Sequence, residues 1–399
     1  MGVQQTSIFE FLYPRFQAKK VRLYQFFAGI GSQAKALKNL GVEFEDYKIV
    51  EWAVPSIKAY NCIHLKDFTD YSKDKTREEL EKIVKNVSLD SSNLITEKQL
   101  KSKSDGWIRE VYNNIIATHD LVDISIVKGK DLEIDTNYTN IIFYSFPCQD
   151  LSVAGLRGGL KKGTRSGLLW EIERIINELT ERERESCVLI CENVPDLVGT
   201  TFVKDYLLWI NALQKLGFTS YHEILNARDY NIPQNRKRVF VVSLPGQHSY
   251  TFPRKISLQY HLRDILEEHT DKKYYLSKKM LNGMMTTKFH QYQLENRLQD
   301  LDSICDTLTT ATGDRCPHLV SVDDKIRRLT TRECMRLMGF EDSDWYSLHE
   351  GKMTDSQIYK VAGDSIVVSV LMGIFGTLLD IKDYEQKILD YTKSLTEKK

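Results

Sequence analysis

With 399 residues, 42% of them hydrophobic, the chain can bury a substantial core and is long enough for two domains. Lysine plus arginine equals aspartate plus glutamate at 55 each, so net charge carries no nucleic-acid footprint and any such contact must come from local clusters. Seven scattered cysteines with no CxxC pair argue against a disulfide framework and against a structural zinc site. The first residues lack a basic segment followed by an apolar one, and the apolar stretch from Ile366 to Leu379 is too short to span a bilayer. A cytoplasmic protein without membrane segment or metal is the expectation.

In chain order, "VRLYQFFAGIGSQAKALKNLG" (21–41) reads as strand, glycine turn and helix. Gly29 and Gly31 allow a tight turn and close backbone approach to a ligand, and Gly41 closes the helix. This is the opening βα unit of a Rossmann-like sheet, with a loose form of the dinucleotide fingerprint that lacks the third glycine. The strand "YKIVEW" follows, placing Glu51 about 20 residues after the turn, where such folds set an acid against a ribose. Trp52 beside it suits either an adenine stack or the core. Residues 66–118 are highly charged with Ser/Asn-rich patches and helical pattern, which predicts a surface insertion. In "THDLVDISIV" (118–127), a strand end or turn, Asp120 or Asp123 could meet an adenine amine or simply form the turn.

"IIFYSFPCQDLSVAG" (141–155) is the stretch around which the chain is organised. An apolar run closed by Pro147 reads as a buried parallel strand, and ligands in such sheets sit past the carboxyl ends of the strands. Cys148 stands at that place, either as a presented nucleophile or as one more buried cysteine. A Gly- and Lys-rich loop with Arg157, Lys161, Lys162 and Arg165 leads into an amphipathic helix, an arrangement suited to closing over a substrate. "CVLICENV" (187–194) is a second buried strand, ending in Glu192 and Asn193; a carboxylate at that sheet edge is hard to justify for packing alone. In "NIPQNRKRVFVVS" (231–243), period-2 spacing places Gln234, Arg236 and Arg238 on one face, either a solvated strand end or three donors aimed at a polar ring or phosphate. Beyond Leu244, Pro245, Gly246 and Pro253 with many Tyr and His and no long apolar run predict a smaller, irregular domain. Lys325, Arg327, Arg328, Arg332 and Arg336 form a basic cluster, and Thr330 with Glu333 predicts a capping box opening a helix. A buried apolar helix follows the turn at 363–365.

These pieces, in this order, resemble the DNA (cytosine-5) methyltransferase family. "FAGIG" resembles its cofactor-binding glycine motif, "EW" its ribose and adenine contacts, "FPCQ" its catalytic loop, "ENV" its catalytic-acid motif, "QNRKR" its two-arginine motif, and "RRLTTREC…MGF" and "GDS" its last blocks. The likeness covers nearly the whole chain except 66–118 and most of 245–305. Its wording is closest to bacterial modification methylases. Ser32 stands where the family usually repeats Gly, and Asp364 where it usually has Asn, which adds a negative charge near the expected methionine moiety.

The resemblance implies an α/β fold, a Rossmann-like S-adenosylmethionine-dependent methyltransferase sheet with a smaller, irregular target-recognition domain. It implies a catalytic domain over 20–244, completed by 356–399, and a recognition domain over 245–355. It implies Cys148 as nucleophile on C6 of a flipped cytosine, Glu192 at N3, Arg238 on the O2 edge and Arg236 supporting a loop or phosphate. S-adenosylmethionine, leaving as S-adenosylhomocysteine, would be held by Phe27, Ala28, Gly29, Ile30, Gly31, Glu51, Trp52, Asp123, Ile124, Ser145, Pro147, Leu168, Asp364 and Ser365. The partner would be double-stranded DNA, approached by Gln149, Ser152, Arg165, Asn193, Gln234, Thr307 and Thr309. A monomer is expected, with a cognate restriction endonuclease that need not bind it. The alternative in the same chemistry is a transfer-RNA cytosine-5 methyltransferase. An NAD-dependent oxidoreductase would explain Glu51 and the glycine turn but not Cys148, Glu192 and the arginines. A catalytically dead DNA-binding relative sits poorly with an intact Cys148 and Glu192.

Overall fold

The computed structural model describes residues 13–147, 166–284, 286, 294–309 and 318–397. Cys148, Gln149, Ser152 and Arg165, with the rest of the basic loop 155–165, lie outside the described residues. The described strands are β1 (Val21–Phe26), β2 (Phe44–Val50), β3 (Thr139–Tyr144), β4 (Cys187–Asn193), β5 (Phe218–Asn226), β6 (Gln234–Asn235), β7 (Lys237–Pro245), β8 (Cys305–Asp306), β9 (Leu319–Val322) and β10 (Lys325–Arg328). The chain divides into two compact units, one of residues 1–225, 237–253 and 374–382, the other of 226–236, 254–373 and 383–399. These boundaries group 226–236 and most of 356–399 with the second unit rather than with the sheet, unlike the division expected from the sequence.

The first unit holds a six-stranded sheet of order β2-β1-β3-β4-β7-β5. β1 runs parallel to β2 and β3, β3 parallel to β4, and β7 antiparallel to β4. The predicted apolar runs form its centre because every residue of β3 and β4 is buried, as strands covered on both faces require. Helix Leu169–Asn177 turns Leu169, Ile172, Ile175 and Ile176 inward, at helical spacing, onto a core that includes Tyr24, Tyr144, Trp209 and Val241. Parallel strands end at a common edge, so the exits of β1, β2, β3 and β4 carry the glycine turn, Glu51, Ser145 and Glu192 respectively.

The segment 66–118, expected as a charged surface insertion with helical pattern, forms helices that also bury an apolar stripe. Helices Arg77–Val84, Glu97–Lys101 and Asp105–Ala117 bury Leu80, Val84, Leu100, Ile108, Val111 and Ile115 in a cluster with Ile57 and Val122. Trp52 and Val54, just past β2, pack against that cluster. Its charges are real but lie on the outer faces; the apolar spacing builds a wall beside the β2 exit. Capping boxes of Thr76 with Glu79 and Thr96 with Gln99 start two of these helices.

In the second unit β6 pairs in parallel with β8, and β9 antiparallel with β10. The predicted capping box is present: Thr330 Oγ1 accepts the Glu333 N–H at 3.1 Å and Glu333 Oε2 accepts the Thr330 N–H at 2.8 Å, opening helix Thr331–Leu337. Much of the basic cluster is consumed inside this unit. Arg327, 1% exposed, forms a two-pronged pair with Glu333, and Arg332 and Arg336 pair with Asp342. The apolar helical run Asp355–Leu378, interrupted at Ser365–Val367, begins earlier than the stretch read from sequence. By length and composition it could cross a membrane; 83% of its apolar window is buried inside the protein.

Candidate active site

At the β1 exit the backbone turns through three left-handed residues, Phe27 (φ 56°), Gly29 (φ 56°) and Gly31 (φ 74°), before helix Ser32–Asn39. Gly31 is obligatory on two counts. Its φ favours glycine, and a Cβ there would lie 2.7 Å from Tyr60 Cε2 and would overlap the His64 ring. Glu51, 8% exposed, holds the turn from β2: its Oε2 accepts the Gly29 N–H at 2.9 Å and its Oε1 the Ala53 N–H at 2.8 Å. The helix begins with no side-chain cap and no acid in its first turn, a positive terminus suited to an anionic group.

Asp120 supports Glu51 in turn. Its Oδ1 accepts the backbone N–H groups of Glu51 (2.9 Å) and Val122 (2.8 Å), while Oδ2 is buried with no hydrogen-bond partner among the described residues. Burial pushes this carboxyl well above the usual carboxylate range, partly countered by the two N–H groups. Of the two acids weighed at this turn, Asp120 is therefore structural. Half-buried Asp123 accepts the Ser125 N–H and hydroxyl through Oδ1, which makes it a turn former whatever its second oxygen meets. Ala28, Ile30 and Ile124 are buried, and Phe27, Trp52, Pro147 and Leu168 are partly exposed.

The exits of β3 and β4 and the start of β7 meet at Glu192. Directly opposed residues share a face, so Glu192, paired with Phe240, has Arg238 two residues along on its side of the sheet. Arg238 Nε lies 3.0 Å from Glu192 Oε1, and the Ser145 hydroxyl donates to Oε2 at 2.6 Å. Both oxygens of a 5%-exposed carboxylate are thus engaged by a cation and a hydroxyl. Ser145, expected as a cofactor residue, turns its hydroxyl to the acid. Asn193, expected near DNA, is 2% exposed: its Nδ2 donates to the Phe146 carbonyl at 3.0 Å and its Oδ1 accepts the Val194 N–H. It ties the segment leading to Cys148 onto β4.

Gln234 and Arg236 are buried and Asn235 and Lys237 exposed, the alternation that period-2 spacing predicts, although β6 and β7 are separate strands on either side of Arg236. In the second unit Gln234 is fully buried, its amide donating to the Leu337 carbonyl and accepting the Leu308 N–H. Arg236, 5% exposed, donates to the carbonyls of Leu308 (2.7 Å), Gly363 (3.1 Å) and Ser365 (2.8 Å). These bonds tie three loop carbonyls together, which is the loop-supporting kind of contact. Thr307 donates to the Asn235 carbonyl at 2.6 Å, and Thr309 is exposed. Ser365 is buried with its hydroxyl on Ala362, whereas Asp364 is exposed and paired with Lys360 at 3.1 Å.

Residues 84–380 match the family model for C-5 cytosine-specific DNA methylase. The chain belongs to that family. As a DNA cytosine-5 methyltransferase it is 33% identical over 365 residues to the type II methyltransferase M2.ScrFI of Lactococcus lactis subsp. cremoris, covering 90% of this chain and 99% of the relative. It is 31% identical over 386 residues to the orphan methyltransferase M.SssI of Spiroplasma monobiae, covering 90% and 97%. Two solved structures share the fold of this methyltransferase. The Dnmt2 methyltransferase of S. pombe superposes with a TM-score of 0.61 at 18% identity, covering 90% of this chain and 99% of that one. The Entamoeba histolytica methyltransferase EhMeth gives 0.53 at 15%, covering 91% and 98%. Sequence reading of this methyltransferase missed His64, whose Nε2 donates to the Ile30 carbonyl at 2.8 Å within the turn. Only its spacing of four residues from Tyr60 on one helical face could have flagged it.

Proposed function

We propose that the enzyme transfers the methyl group of S-adenosylmethionine to C5 of a cytosine flipped out of a specific double-stranded DNA sequence, through an adduct between Cys148 and C6. The observation that carries this reading is Glu192, a buried carboxylate at the β4 exit engaged by Arg238 and Ser145. No packing need explains it, and β3, its neighbour in the sheet, leads directly to Cys148.

Cytosine C5 is a weak nucleophile. Addition of the Cys148 thiolate to C6 breaks the C5–C6 double bond and makes C5 enamine-like, and C5 then takes the methyl group. Loss of the C5 proton and departure of the thiolate restore the ring. Glu192 holds a proton at N3 and Arg238 the O2 edge, offsetting the charge that addition places on the base. S-adenosylmethionine supplies an electrophilic methyl group. Residues suited to hold it are the turn 27–31, the uncapped start of helix Ser32–Asn39, Glu51 and Trp52, with Asp123, Ile124, Ser145, Pro147, Leu168, Asp364 and Ser365 as further candidates. A stacked base is out of reach of such a site, so the cytosine is extruded.

The second unit, with Thr307 and Thr309, is the proposed reader of DNA, Gln234 supporting it from within, and Gln149, Ser152 and Arg165 are proposed contacts to the strand. Likeness to type II methyltransferases supports a protective role beside a restriction endonuclease; likeness to an orphan enzyme fits a stand-alone one. The family's DNA specificity does not favour the transfer-RNA alternative.

The test is incubation of the purified protein with radiolabelled S-adenosylmethionine and unmethylated phage DNA, with bulk transfer RNA in parallel, followed by bisulfite sequencing. Protected cytosines in one short context, absent with Cys148→Ala, are expected. Label in transfer RNA alone overturns the DNA reading.

A further inference from the structure

One peptide unit of the glycine turn is held at both ends. The Gly31 N–H donates to the Ala28 carbonyl at 3.0 Å, and the Ile30 carbonyl accepts from His64 Nε2 at 2.8 Å. His64 belongs to a π-helical turn, Asn61–Leu65, that continues helix Val54–Tyr60; such turns widen a helix by one residue and recur at functional sites. Widening brings the imidazole beside the Tyr60 ring, 4.7 Å between centroids, in the space that a side chain at Gly31 would need.

Tyr60 is itself fixed. Its hydroxyl bonds Asp46 on β2, at 2.7 and 2.6 Å to the two oxygens, and Gln25 on β1 is a further partner. Part of the His64 residue reaches the surface, but its Nδ1 is out of solvent and has no hydrogen-bond partner among the described residues. Burial, aided by the nearby Lys38 and Lys35 ammonium groups and opposed by the Ile30 carbonyl, brings the imidazole down to about 3. The ring is therefore neutral near pH 7, and the carbonyl acceptor fixes its proton on Nε2.

We propose that His64 is a positioning residue for the cofactor turn: its Nε2–H holds the Ile30–Gly31 peptide in the orientation that binds S-adenosylmethionine, and so sets cofactor affinity without touching the cofactor. Glu51 holds the neighbouring Ala28–Gly29 peptide through its N–H, so the two side chains grip the turn from β2 and from the helix that follows it. With the His64 bond gone, the peptide is freer to rotate about ψ of Ile30 and φ of Gly31, the latter a torsion with few steric limits, and the turn samples orientations that do not bind. The proposal rests on the reading that this turn receives the cofactor.

Full-length wild type, His64→Leu and His64→Gln decide it; leucine fills the volume without a donor, and the glutamine amide reaches about as far as Nε2 with one. S-adenosylhomocysteine affinity is measured by calorimetry without DNA, KM and kcat with DNA, and amide exchange of peptides spanning 27–33 in the cofactor-free protein. Expected for His64→Leu are affinity weaker by about tenfold, KM for S-adenosylmethionine raised in step, kcat within about twofold and faster exchange at 27–33. His64→Gln restores most of the affinity and protection. Unchanged affinity and exchange in His64→Leu overturn the proposal, as does His64→Gln behaving like His64→Leu. If even the wild type binds no S-adenosylhomocysteine, the cofactor reading falls, whereas the exchange comparison still decides whether His64 holds the turn.

Discussion

Glu51→Gln separates two roles that the Glu51 carboxylate combines. If the carboxylate serves only a bound ligand, the cofactor-free protein is indifferent to the change. The geometry says otherwise, because both oxygens already accept backbone N–H groups, from Gly29 and Ala53. Hydrogen bonds to a charged group are worth about 1.5–3 kcal/mol each. Glutamine keeps one acceptor, now neutral, and turns its amide donor against the other N–H. One bond is weakened and one replaced by a clash of donors at an 8%-exposed site, a loss of about 3 kcal/mol. For a unit of this size that lowers the melting temperature of the cofactor-free protein by roughly 6–12 °C. Differential scanning calorimetry without cofactor measures it, with S-adenosylhomocysteine calorimetry alongside; affinity is expected to fall at least about tenfold as the turn loosens. A cofactor-free melt within about a degree of wild type, with affinity still lost, would refute the clamp and leave Glu51 as a ligand contact only.

Ser145→Ala removes the donor to Glu192 Oε2, so kcat is expected to fall about tenfold with S-adenosylhomocysteine affinity unchanged; the reverse split returns Ser145 to the cofactor. Arg236→Met strands the buried carbonyls of Leu308, Gly363 and Ser365, which is expected to destabilise the second unit by about 3–5 kcal/mol in urea unfolding. Arg236→Lys rescues little, since one ammonium lacks the planar fork; wild-type stability of the lysine variant counts against that geometry. Asp120→Asn keeps the acceptor for Glu51 and Val122 while removing a carboxyl whose folded pKa is raised. The folded state binds this proton where the unfolded chain has lost it, so wild-type stability falls as pH rises from about 4 to the folded value. The melting temperature of Asp120→Asn relative to wild type is therefore expected to climb over that window and then level off; a difference that shrinks with pH contradicts it.

Where the sequence was readable, a local rule and the global fold asked for the same thing. β3 and β4 are buried throughout and carry the apolar runs 141–144 and 188–191, as a strand covered on both faces requires, so the runs identify them and locate Ser145 and Glu192 at their ends. Thr330 and Glu333 form their capping box because that signal involves only residues three apart. Reading failed where a side chain's partner is distant in sequence. The period-2 argument for Gln234, Arg236 and Arg238 matches the buried and exposed alternation over 234–237, but the carbonyls that Arg236 meets lie more than 70 residues away and could not be read from it. The partners of the basic run 325–336 were hidden in the same way: Glu333 takes Arg327, and Asp342 takes Arg332 and Arg336, and a charge pattern cannot say which charges are already matched.

In the insertion 66–118 the packing role was hidden for the opposite reason. Its charges dominate the composition, yet a few apolar residues at helical spacing suffice to build a wall, because a helix needs only one buried stripe. Asp364 shows the same limit at one residue. From sequence it placed a charge where the cofactor's methionine end was expected; in the fold it is exposed and paired with Lys360 on its own helix. What a motif fixes is therefore which backbone positions come together. Whether a given side chain faces ligand or protein is set by the neighbours that reach it first, as Asp120 and His64 reach Glu51 and the turn.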